Sequence, residues 1–275
     1  MKKLSVEKII ELSLLEDIGS GDITTVGISA SEKEISAKII AKQDGILAGI
    51  DIVCKIFKTV DSKITCSKNA QDGDFIRNED EVLVLNGMSS SLLKGERVAL
   101  NFLQRMSGIA TLTRKFVDKI SHTNAKILDT RKTTPLLREL EKYSVKIGGG
   151  YNHRMGLYDA VLIKENHIES AGSISKAVTQ IINKNPDIFI EVEVKNLSEL
   201  KKVLDLKVDR IMLDNMSITK ILQAVEITNG RVELEISGGI NLNTIRKFAE
   251  TGVDYISIGM LTHSYKSLDF SMLFK

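Results

Sequence analysis

The chain has 275 residues, of which 43% are hydrophobic and 27% charged, and its net charge is +2. This balance is typical of a soluble globular protein and predicts neither a nucleic-acid binder nor a membrane-surface protein. No apolar run in the sequence is long enough to span a bilayer. The two cysteines, Cys54 and Cys66, have neither metal-ligand spacing nor the pattern of a disulfide framework. Reduced thiols are then the default, and we expect a cytoplasmic protein.

The first nineteen residues predict an amphipathic helix. Apolar residues are expected largely on one side of it, namely Leu4, Ile9, Ile10, Leu12, Leu14 and Leu15. Glu7, Lys8 and Glu11 interrupt the apolar core that a signal peptide requires. Up to about residue 93, short β-like runs then alternate with glycine turns, as in EISAKIIAKQDGILAG. This pattern predicts a small α+β domain with an antiparallel sheet.

A different pattern begins at Lys94. The stretch GERVALNFLQRMSGIATLTRKFVDKI predicts one long helix or a helix pair. Six apolar runs follow, at residues 127–130, 160–163, 188–194, 210–214, 232–237 and 255–259. Helical segments separate them, so a parallel βα sheet is expected. We favour a barrel over a doubly wound sheet because candidate site residues follow every run, whereas a doubly wound sheet would collect them at one switch point. Six strands make that barrel incomplete, unless one strand has been missed.

Charged and small residues stand where these runs end, which in a βα barrel is where active sites are built. The successive strand ends supply Asp129, Arg131 and Lys132; Lys164, Glu165, Asn166 and His167; Glu191, Glu193 and Lys195; Asp214 and Asn215; Ser237, Gly238 and Gly239; and Gly259. Charged residues at a single strand end usually belong to the solvent-exposed rim of the barrel and have no function. Charge at four successive ends, followed by glycines at the last two, favours a functional site.

The glycines of SGGI and SIGMLTHS predict phosphate binding, because glycine lets backbone N–H groups approach an anion and a helix N-terminus favours negative charge. The alternative for each glycine is a tight turn. Glu193 and Asp214 follow neighbouring strands and suit Mg²⁺, which takes one or two protein carboxylates plus substrate oxygens. The alternative is an ion pair with Lys195 or Lys164, and strand alternation is expected to point Glu191 away from the site.

Between the first two strands, Pro135 is expected to open a helix that ends at a triple glycine. That helix carries the chain to Asn152-His153-Arg154, in a loop over the same end of the barrel as Arg131 and Lys132. Arg97 adds one more cation near the start of the long helix. So many cations predict a ligand with several negative groups, carboxylates in particular, and catalysis by positioning and electrostatics.

At these residues the sequence resembles quinolinate phosphoribosyltransferase. The matching stretches are EDIGSGDITT, ERVALNFLQRMSGIAT, DTRKTTP, LEKYSVKIGGGYNHRMGLYDAVLIKENH, EVEV, MLDN, SGGI and SIGMLTHS, in order along nearly the whole chain. Three small departures are Leu136 where glycine is expected, Glu165 where aspartate is common, and Met260 where a small residue is usual. None of the three removes a charged site residue.

The resemblance implies an α/β fold in which an N-terminal α+β sandwich domain, residues 1–103, precedes an incomplete parallel α/β barrel, residues 104–275, whose last residues can pack back on the first domain. It implies transfer of phosphoribosyl from phosphoribosyl pyrophosphate to quinolinate with decarboxylation, giving nicotinate mononucleotide, CO2 and pyrophosphate for NAD biosynthesis. Mg²⁺ is the implied cofactor. A homodimer is the implied assembly, with higher oligomers open, and neither nucleic acid nor membrane is a partner.

By the same resemblance, Arg131, His153 and Arg154 hold the carboxylates, and Arg97 joins them from the other subunit. Lys132 and Lys164 neutralise pyrophosphate or carboxylate charge, and Glu193 and Asp214 bind ribose hydroxyls, Mg²⁺ or both. These four, Lys132, Lys164, Glu193 and Asp214, are the implied catalytic residues. The substrate-binding set is completed by Thr130 and by a cradle for the 5′-phosphate, made of Ser237, Gly238, Gly239 and Gly259.

Three alternatives remain open at this point. A paralogue of the same fold, associated with molybdenum transport, would act on another anionic substrate. A class I aldolase would use Lys164 as a Schiff-base amine. A non-catalytic sensor would bind phosphoribosyl pyrophosphate without turnover.

Overall fold

A computed structural model describes residues 4–28 and 33–274 of the chain. Its helices are α1 Val6–Ile18, α2 Ile23–Gly27, α3 Ile50–Val60, α4 Ser89–Lys119, α5 Arg138–Ile147, α6 Glu165–Ala171, α7 Ile174–Lys184, α8 Leu197–Leu204, α9 Ile218–Thr228, α10 Ile245–Ala249 and α11 Met260–His263. Its strands are β1 Glu34–Ala41, β2 Gly45–Ile46, β3 Thr65–Lys68, β4 Phe75–Ile76, β5 Glu81–Met88, β6 Lys126–Leu128, β7 Val161–Ile163, β8 Ile190–Val194, β9 Arg210–Asp214, β10 Glu233–Ser237, β11 Tyr255–Ser257 and β12 Phe270–Phe274.

The chain divides into two compact units. The first contains residues 1–114, 134–149 and 264–275, and the second contains residues 115–133 and 150–263. The domain boundary predicted between residues 103 and 104 falls inside α4, which is one continuous helix of 31 residues. None of the described helices combines the length and the apolar composition that a transmembrane span requires.

The first unit is built on an antiparallel sheet with the strand order β12-β1-β5-β3. In β1, Ala37 and Ile39 are fully buried, and Ile39 pairs with the equally buried Leu83 of β5. Helix α3 buries one face, since Val53, Ile56 and Phe57 recur at helical spacing. The predicted antiparallel α+β domain is therefore confirmed, and its edge strand β12 comes from the C-terminal end of the chain.

The predicted N-terminal helix forms from Val6 to Ile18, and residues 1–3 of that prediction lie outside the described residues. Its N-cap Ser5 accepts a hydrogen bond from the backbone N–H of Lys8, and its buried residues are Ile9, Ile10 and Leu14. Leu4 lies before the first helical residue and is exposed; Leu12 and Leu15 are also exposed, contrary to the expected apolar side. At 100° per residue they fall on a different part of the helix surface, so the buried stripe is narrower than predicted.

The second unit is a parallel sheet of six strands in the order β6-β11-β10-β9-β8-β7. All six predicted runs form these strands. The order follows the chain around a barrel, with β6 returning beside β11, but in the described chain β6 and β7 do not pair with each other. The barrel is thus incomplete as predicted, with its open seam between β6 and β7.

Strand alternation decides which side chains face the barrel interior, because residues two apart in a strand share one face. Glu191 and Glu193 of β8 therefore share a face, and Glu191 is 1% exposed. The prediction that Glu191 points away from the site was wrong, because it lies deeper on the same face. Glu235 and Ser237 of β10 repeat this relation, and Glu235 is completely buried.

The helix expected to start at Pro135 begins at Arg138 instead. Leu136 has a φ of 68°, in the left-handed region, so the chain makes a turn before it can enter the helix. The expected triple-glycine ending is confirmed, with Gly148 as C-cap and Gly149 at a φ of 93°. The left-handed backbone at Leu136 also explains why glycine is the expected residue at that position.

Replacing Leu136 with glycine is expected to stabilise the protein by roughly 0.5–1 kcal/mol, since glycine relieves the left-handed strain but adds entropy to the unfolded chain. Leu136 is 70% exposed, so little buried apolar area is lost. Urea denaturation measures the change in the free energy of unfolding. The control, Leu136→Ala, retains Cβ and is expected to give no gain. Equal effects of glycine and alanine would contradict the argument.

Candidate active site

A cavity of about 610 Å³ opens at the C-terminal ends of the six barrel strands. This size is within the range of small-molecule sites. Every residue predicted for the site except Arg97 lines it: Thr130, Arg131, Lys132, His153, Arg154, Lys164, Glu193, Asp214, Ser237, Gly238, Gly239 and Gly259. Arg97 lies exposed in α4 of the first unit.

Two arginines give one side of the cavity its positive charge. Arg154 donates from Nη1 to the carbonyl of Ala160 at 3.1 Å, which holds its guanidinium at the cavity wall. Burial, and then the charge of Arg131, lower the pKa of Arg154. The two guanidinium groups repel each other without a ligand, so an anion between them is strongly favoured.

The loop that carries His153 and Arg154 is fixed from below by Asp129. The backbone N–H of His153 donates to Asp129 Oδ1 at 2.9 Å, and the Asp129 side chain is completely buried. The carboxylate therefore accepts a backbone hydrogen bond, which positions the loop over the barrel. The backbone N–H of Arg154 in turn donates to Nδ1 of His153 at 2.7 Å.

Carboxylates and lysines meet on the neighbouring strands β7, β8 and β9. Lys164 Nζ lies 2.8 Å from Glu193 Oε2, and Asn215 Nδ2 donates to Asp214 Oδ2 at 3.0 Å. In this structure Glu193 therefore forms the ion pair with Lys164 that was the alternative to a magnesium ligand. Because Mg²⁺ needs only one or two protein carboxylates besides substrate oxygens, the acidic pair still fits a magnesium ion that arrives with a phosphorylated ligand.

Glycines form another part of the cavity wall, after β10 and β11. Gly238 and Gly239 have φ values of 111° and 62°, and a Cβ on Gly238 would lie 2.1 Å from Asn215 Oδ1. A Cβ on Gly259 would lie 3.0 Å from Lys132 Cδ and 3.2 Å from His263 Nε2. Glycine is therefore required at 238 by both conformation and space, and both loops keep their backbone open toward the cavity.

The helix expected after SGGI does not begin at the glycines. Helix α10 starts at Ile245 and has only five residues, because residues 241–244 form a turn in which Thr244 N–H donates to the carbonyl of Asn241. An anion at Gly238 and Gly239 would therefore be bound by the backbone amides of that loop and not by the N-terminus of α10.

A charged layer lies directly under the cavity floor. His153 Nε2 is 2.9 Å from Glu191 Oε2 and 3.7 Å from Glu235 Oε2, while Arg210 Nη1 is 3.2 Å from Glu235 Oε2. The hydroxyl of Ser257 donates to Glu235 Oε1. Burial raises the pKa of Glu191 to about 6, although Arg210 opposes this shift; burial, and next the charge of Glu191, raise that of Glu235 to about 7.

Several cavity residues were not predicted as site residues. They are Leu162, Met212, Asn215, Ile240, Ser257, Ile258, Met260 and His263. Asn215 was recognised beside Asp214 at a strand end, but no role was predicted for it. Met212 and Ser257 precede Asp214 and Gly259 by two residues, and strand periodicity could have found them. His263 lies within SIGMLTHS, the segment predicted to bind phosphate, but no role was predicted for the histidine itself.

Comparison with known proteins identifies the relatives of this chain. Residues 22–107 match the model of the quinolinate phosphoribosyl transferase N-terminal domain, and residues 109–273 match that of its C-terminal domain. A probable nicotinate-nucleotide pyrophosphorylase (carboxylating) from Bacillus subtilis strain 168 is 43% identical over 99% of this chain and 94% of that protein. A chloroplastic nicotinate-nucleotide pyrophosphorylase (carboxylating) from Arabidopsis thaliana is 42% identical over 97% of this chain and 82% of that protein.

Solved structures agree in fold. The crystal structure of NadC from Streptococcus pyogenes has a TM-score of 0.94 and 42% identity, covering 99% of this chain and 98% of that one. The nicotinate-nucleotide pyrophosphorylase structure from Francisella tularensis also has a TM-score of 0.94 and 42% identity, with 98% and 96% coverage.

Substituting Gly238 with alanine is expected to weaken binding of inorganic phosphate by at least about tenfold, because the added Cβ displaces Asn215 and the loop amides. Isothermal titration calorimetry measures the dissociation constant. Gly252→Ala is the matched control: its φ is 90°, yet its Cβ would lie 3.5 Å from Val225, and Gly252 is outside the cavity. Equal weakening by both variants would show that backbone strain alone is responsible.

The stability of the protein is expected to fall as the pH rises through the pKa of Glu235. Between its ordinary value of 4.5 and about 7, the folded protein holds a proton that the unfolded chain has released. This contribution is complete below the lower value and lost above the higher one, and it amounts to at most about 3 kcal/mol. Urea denaturation at about pH 5 and about pH 8 should show a steeper loss for wild type than for Glu235→Gln. Parallel pH profiles would refute this assignment.

Proposed function

The chain belongs to the quinolinate phosphoribosyltransferase family, and we propose that its barrel cavity transfers phosphoribosyl from phosphoribosyl pyrophosphate to quinolinate. The ring nitrogen of quinolinate forms a bond to C1 of the ribose, and the bond from C1 to pyrophosphate breaks. The 2-carboxylate then leaves as CO2, and the ring carbon that held it takes a proton. The products are nicotinate mononucleotide, CO2 and pyrophosphate, which makes the protein a decarboxylating pentosyltransferase of NAD biosynthesis.

The observation that carries this proposal is the division of one cavity into a cationic wall and a glycine wall. A pyridine dicarboxylate needs paired guanidinium groups, and Arg131 and Arg154 supply them, with His153 beside Arg154. The 5′-phosphate needs close backbone approach, which supports a cradle of Ser237, Gly238, Gly239 and Gly259. The two reactants would then meet between the walls, near Lys164 and Glu193.

Charge stabilisation is the chemistry we assign to the remaining residues. Breaking the bond from C1 to pyrophosphate builds positive charge on the ribose, which the carboxylates of Glu193 and Asp214 would stabilise. Lys132 and Lys164 would balance the negative charge of the departing pyrophosphate or of the carboxylate. Thr130 accepts a hydrogen bond from the backbone N–H of Lys132 at 3.1 Å, which would fix the turn that presents this lysine.

Mg²⁺ is the cofactor we propose, held by Glu193 and Asp214. A bound magnesium ion would supply neutralisation of pyrophosphate charge. Both carboxylates line the cavity, and Asp214 is oriented by its neighbour Asn215. We also propose a cytoplasmic enzyme, in keeping with reduced thiols at Cys54 and Cys66.

The alternatives have less support. The family match favours quinolinate, and nothing observed favours a substrate linked to molybdenum transport. In the class I aldolase reading, Lys164 must act as a free amine, but it is ion-paired with Glu193 at 2.8 Å. A sensor that only binds phosphoribosyl pyrophosphate would not need Glu193 and Asp214 to stabilise positive charge on the ribose.

The test is to incubate purified protein with quinolinate, phosphoribosyl pyrophosphate and Mg²⁺ and to follow nicotinate mononucleotide and CO2. The proposal expects equimolar amounts of the two products and none when nicotinate replaces quinolinate. Binding of phosphoribosyl pyrophosphate without products would favour the sensor. Equal use of nicotinate would contradict quinolinate as the specific substrate. Omitting Mg²⁺ and adding a chelator should abolish turnover if the metal proposal holds.

We further propose a homodimer in which Arg97 joins the cavity of the partner subunit. If so, mixing Arg97→Ala protein with Glu193→Ala protein restores activity, since each mixed dimer contains one intact site. Random exchange makes about half of the dimers mixed, so roughly a quarter of wild-type activity is expected.

The matched control mixes Arg131→Ala with Glu193→Ala protein. These two residues line the same cavity of one chain, so no mixed dimer contains an intact site. Rescue in the control, or no rescue by the Arg97 variant after subunit exchange is verified by mass spectrometry, would refute a shared site.

A further inference from the structure

Within the described chain, Glu191 is a carboxylate buried inside the barrel without the hydrogen bonds that buried carboxylates normally have. Its side chain is 1% exposed, and neither of its oxygens has an aligned hydrogen-bond donor among the described residues. An ionised group in this position is costly unless a cation or donor compensates it. The imidazole of His153 is a close neighbour, with Nε2 2.9 Å from Glu191 Oε2, although this contact does not have the geometry of a hydrogen bond. This contact connects the barrel interior to the cavity wall.

The state of the His153 ring follows from its other nitrogen. Nδ1 accepts a hydrogen bond from the backbone N–H of Arg154 at 2.7 Å, so Nδ1 carries no proton there. The ring proton therefore lies on Nε2, the nitrogen that faces Glu191. His153 thus links a buried carboxylate to the backbone of Arg154, whose guanidinium lines the cavity.

A metal ion is the competing explanation for this cluster. One atom each from His153, Glu191 and Glu235 lies within 4.8 Å of the others, which is compatible with a metal. Metal binding at Nε2 would need the proton to move to Nδ1, where it would face the N–H of Arg154. Glu235 already has Arg210 and Ser257 as partners. The donor set therefore fits a proton better than a cation.

We propose that Glu191 is a positioning residue: it holds the imidazole of His153 from inside the barrel and so orients the His153-Arg154 pair toward the carboxylates of quinolinate. The inference rests on the proposed function and adds to it a residue that touches no substrate. The carboxylate-binding wall is rigid on this account, since His153 is held at its ring by Glu191 and at its backbone by Asp129. Rigid support lowers the cost of binding the dianion.

The proposal predicts a selective effect. Glu191→Met keeps the approximate length of the side chain but removes the acceptor, and it should raise the KM for quinolinate by about ten- to a hundredfold, as the loss of orienting partners commonly does. The KM for phosphoribosyl pyrophosphate should stay within about twofold. Glu191→Gln retains an oxygen that accepts from Nε2–H, and its KM for quinolinate should lie between those of wild type and Glu191→Met.

Nitrogen-15 NMR of the imidazole rings gives a readout that does not require activity. The chain has four histidines, and His153→Asn assigns the resonance of interest. Wild type should show a proton on Nε2 that is protected from exchange with water, and Glu191→Met should lose that protection. A proton on Nδ1 in wild type would overturn the proposal even if no variant of Glu191 could be purified in folded form.

The matched control is Glu233→Gln. Glu233 also contacts Arg210, with Oε2 2.9 Å from Nη2, but it lies at the other end of β10 and does not line the cavity. Its variant should keep both KM values and the Nε2 proton. Equal increases in both KM values for Glu191→Met, or an unchanged KM for quinolinate, would overturn the positioning role. If wild type makes no nicotinate mononucleotide, the proposed function fails, while the NMR measurement still tests the link between Glu191 and His153.

Discussion

Electrostatic compensation inside a parallel barrel is the constraint on which the second unit depends. The interior faces of β8, β9 and β10 carry Glu191, Arg210 and Glu235, all of them largely removed from water. Such groups are tolerated only when opposite charges and hydrogen bonds surround them. In this layer Arg210 and Ser257 compensate Glu235, His153 lies beside Glu191, and His153 is the member that also lines the cavity.

At the C-terminal ends of the barrel strands, different strands carry different kinds of side chain into the cavity. Positive groups follow β6 and precede β7, carboxylates end β8 and β9, and glycines follow β10 and β11. Neighbouring strands thus present a cationic wall, an acidic pair and an open backbone within one cavity. The same arrangement suits a dianionic acceptor, a ribose centre that becomes positive, and a phosphate group, in that order around the barrel.

Sequence reasoning predicted the six strands, the open barrel, and the lysines, arginines, carboxylates and glycines of the cavity, because apolar runs and the residues at their ends are local features. The predictions were wrong where the outcome depended on backbone conformation or on which face of a helix packs against the protein. Pro135 was expected to open a helix, but the left-handed backbone at Leu136 delays that helix to Arg138. Leu12 and Leu15 were expected on the buried side of α1. They are exposed, because only the face that carries Ile9, Ile10 and Leu14 packs against the protein.

By itself, the sequence determined the order of the elements, the family and the residue types at each strand end, since all three are encoded within short segments. Only the tertiary structure decided that His153, Glu191 and Glu235 meet, because that contact depends on strand register and on side chains projecting from three different parts of the chain. Register is set by packing across the whole sheet. No single segment can specify it, and the support beneath the cavity was for that reason invisible in the sequence.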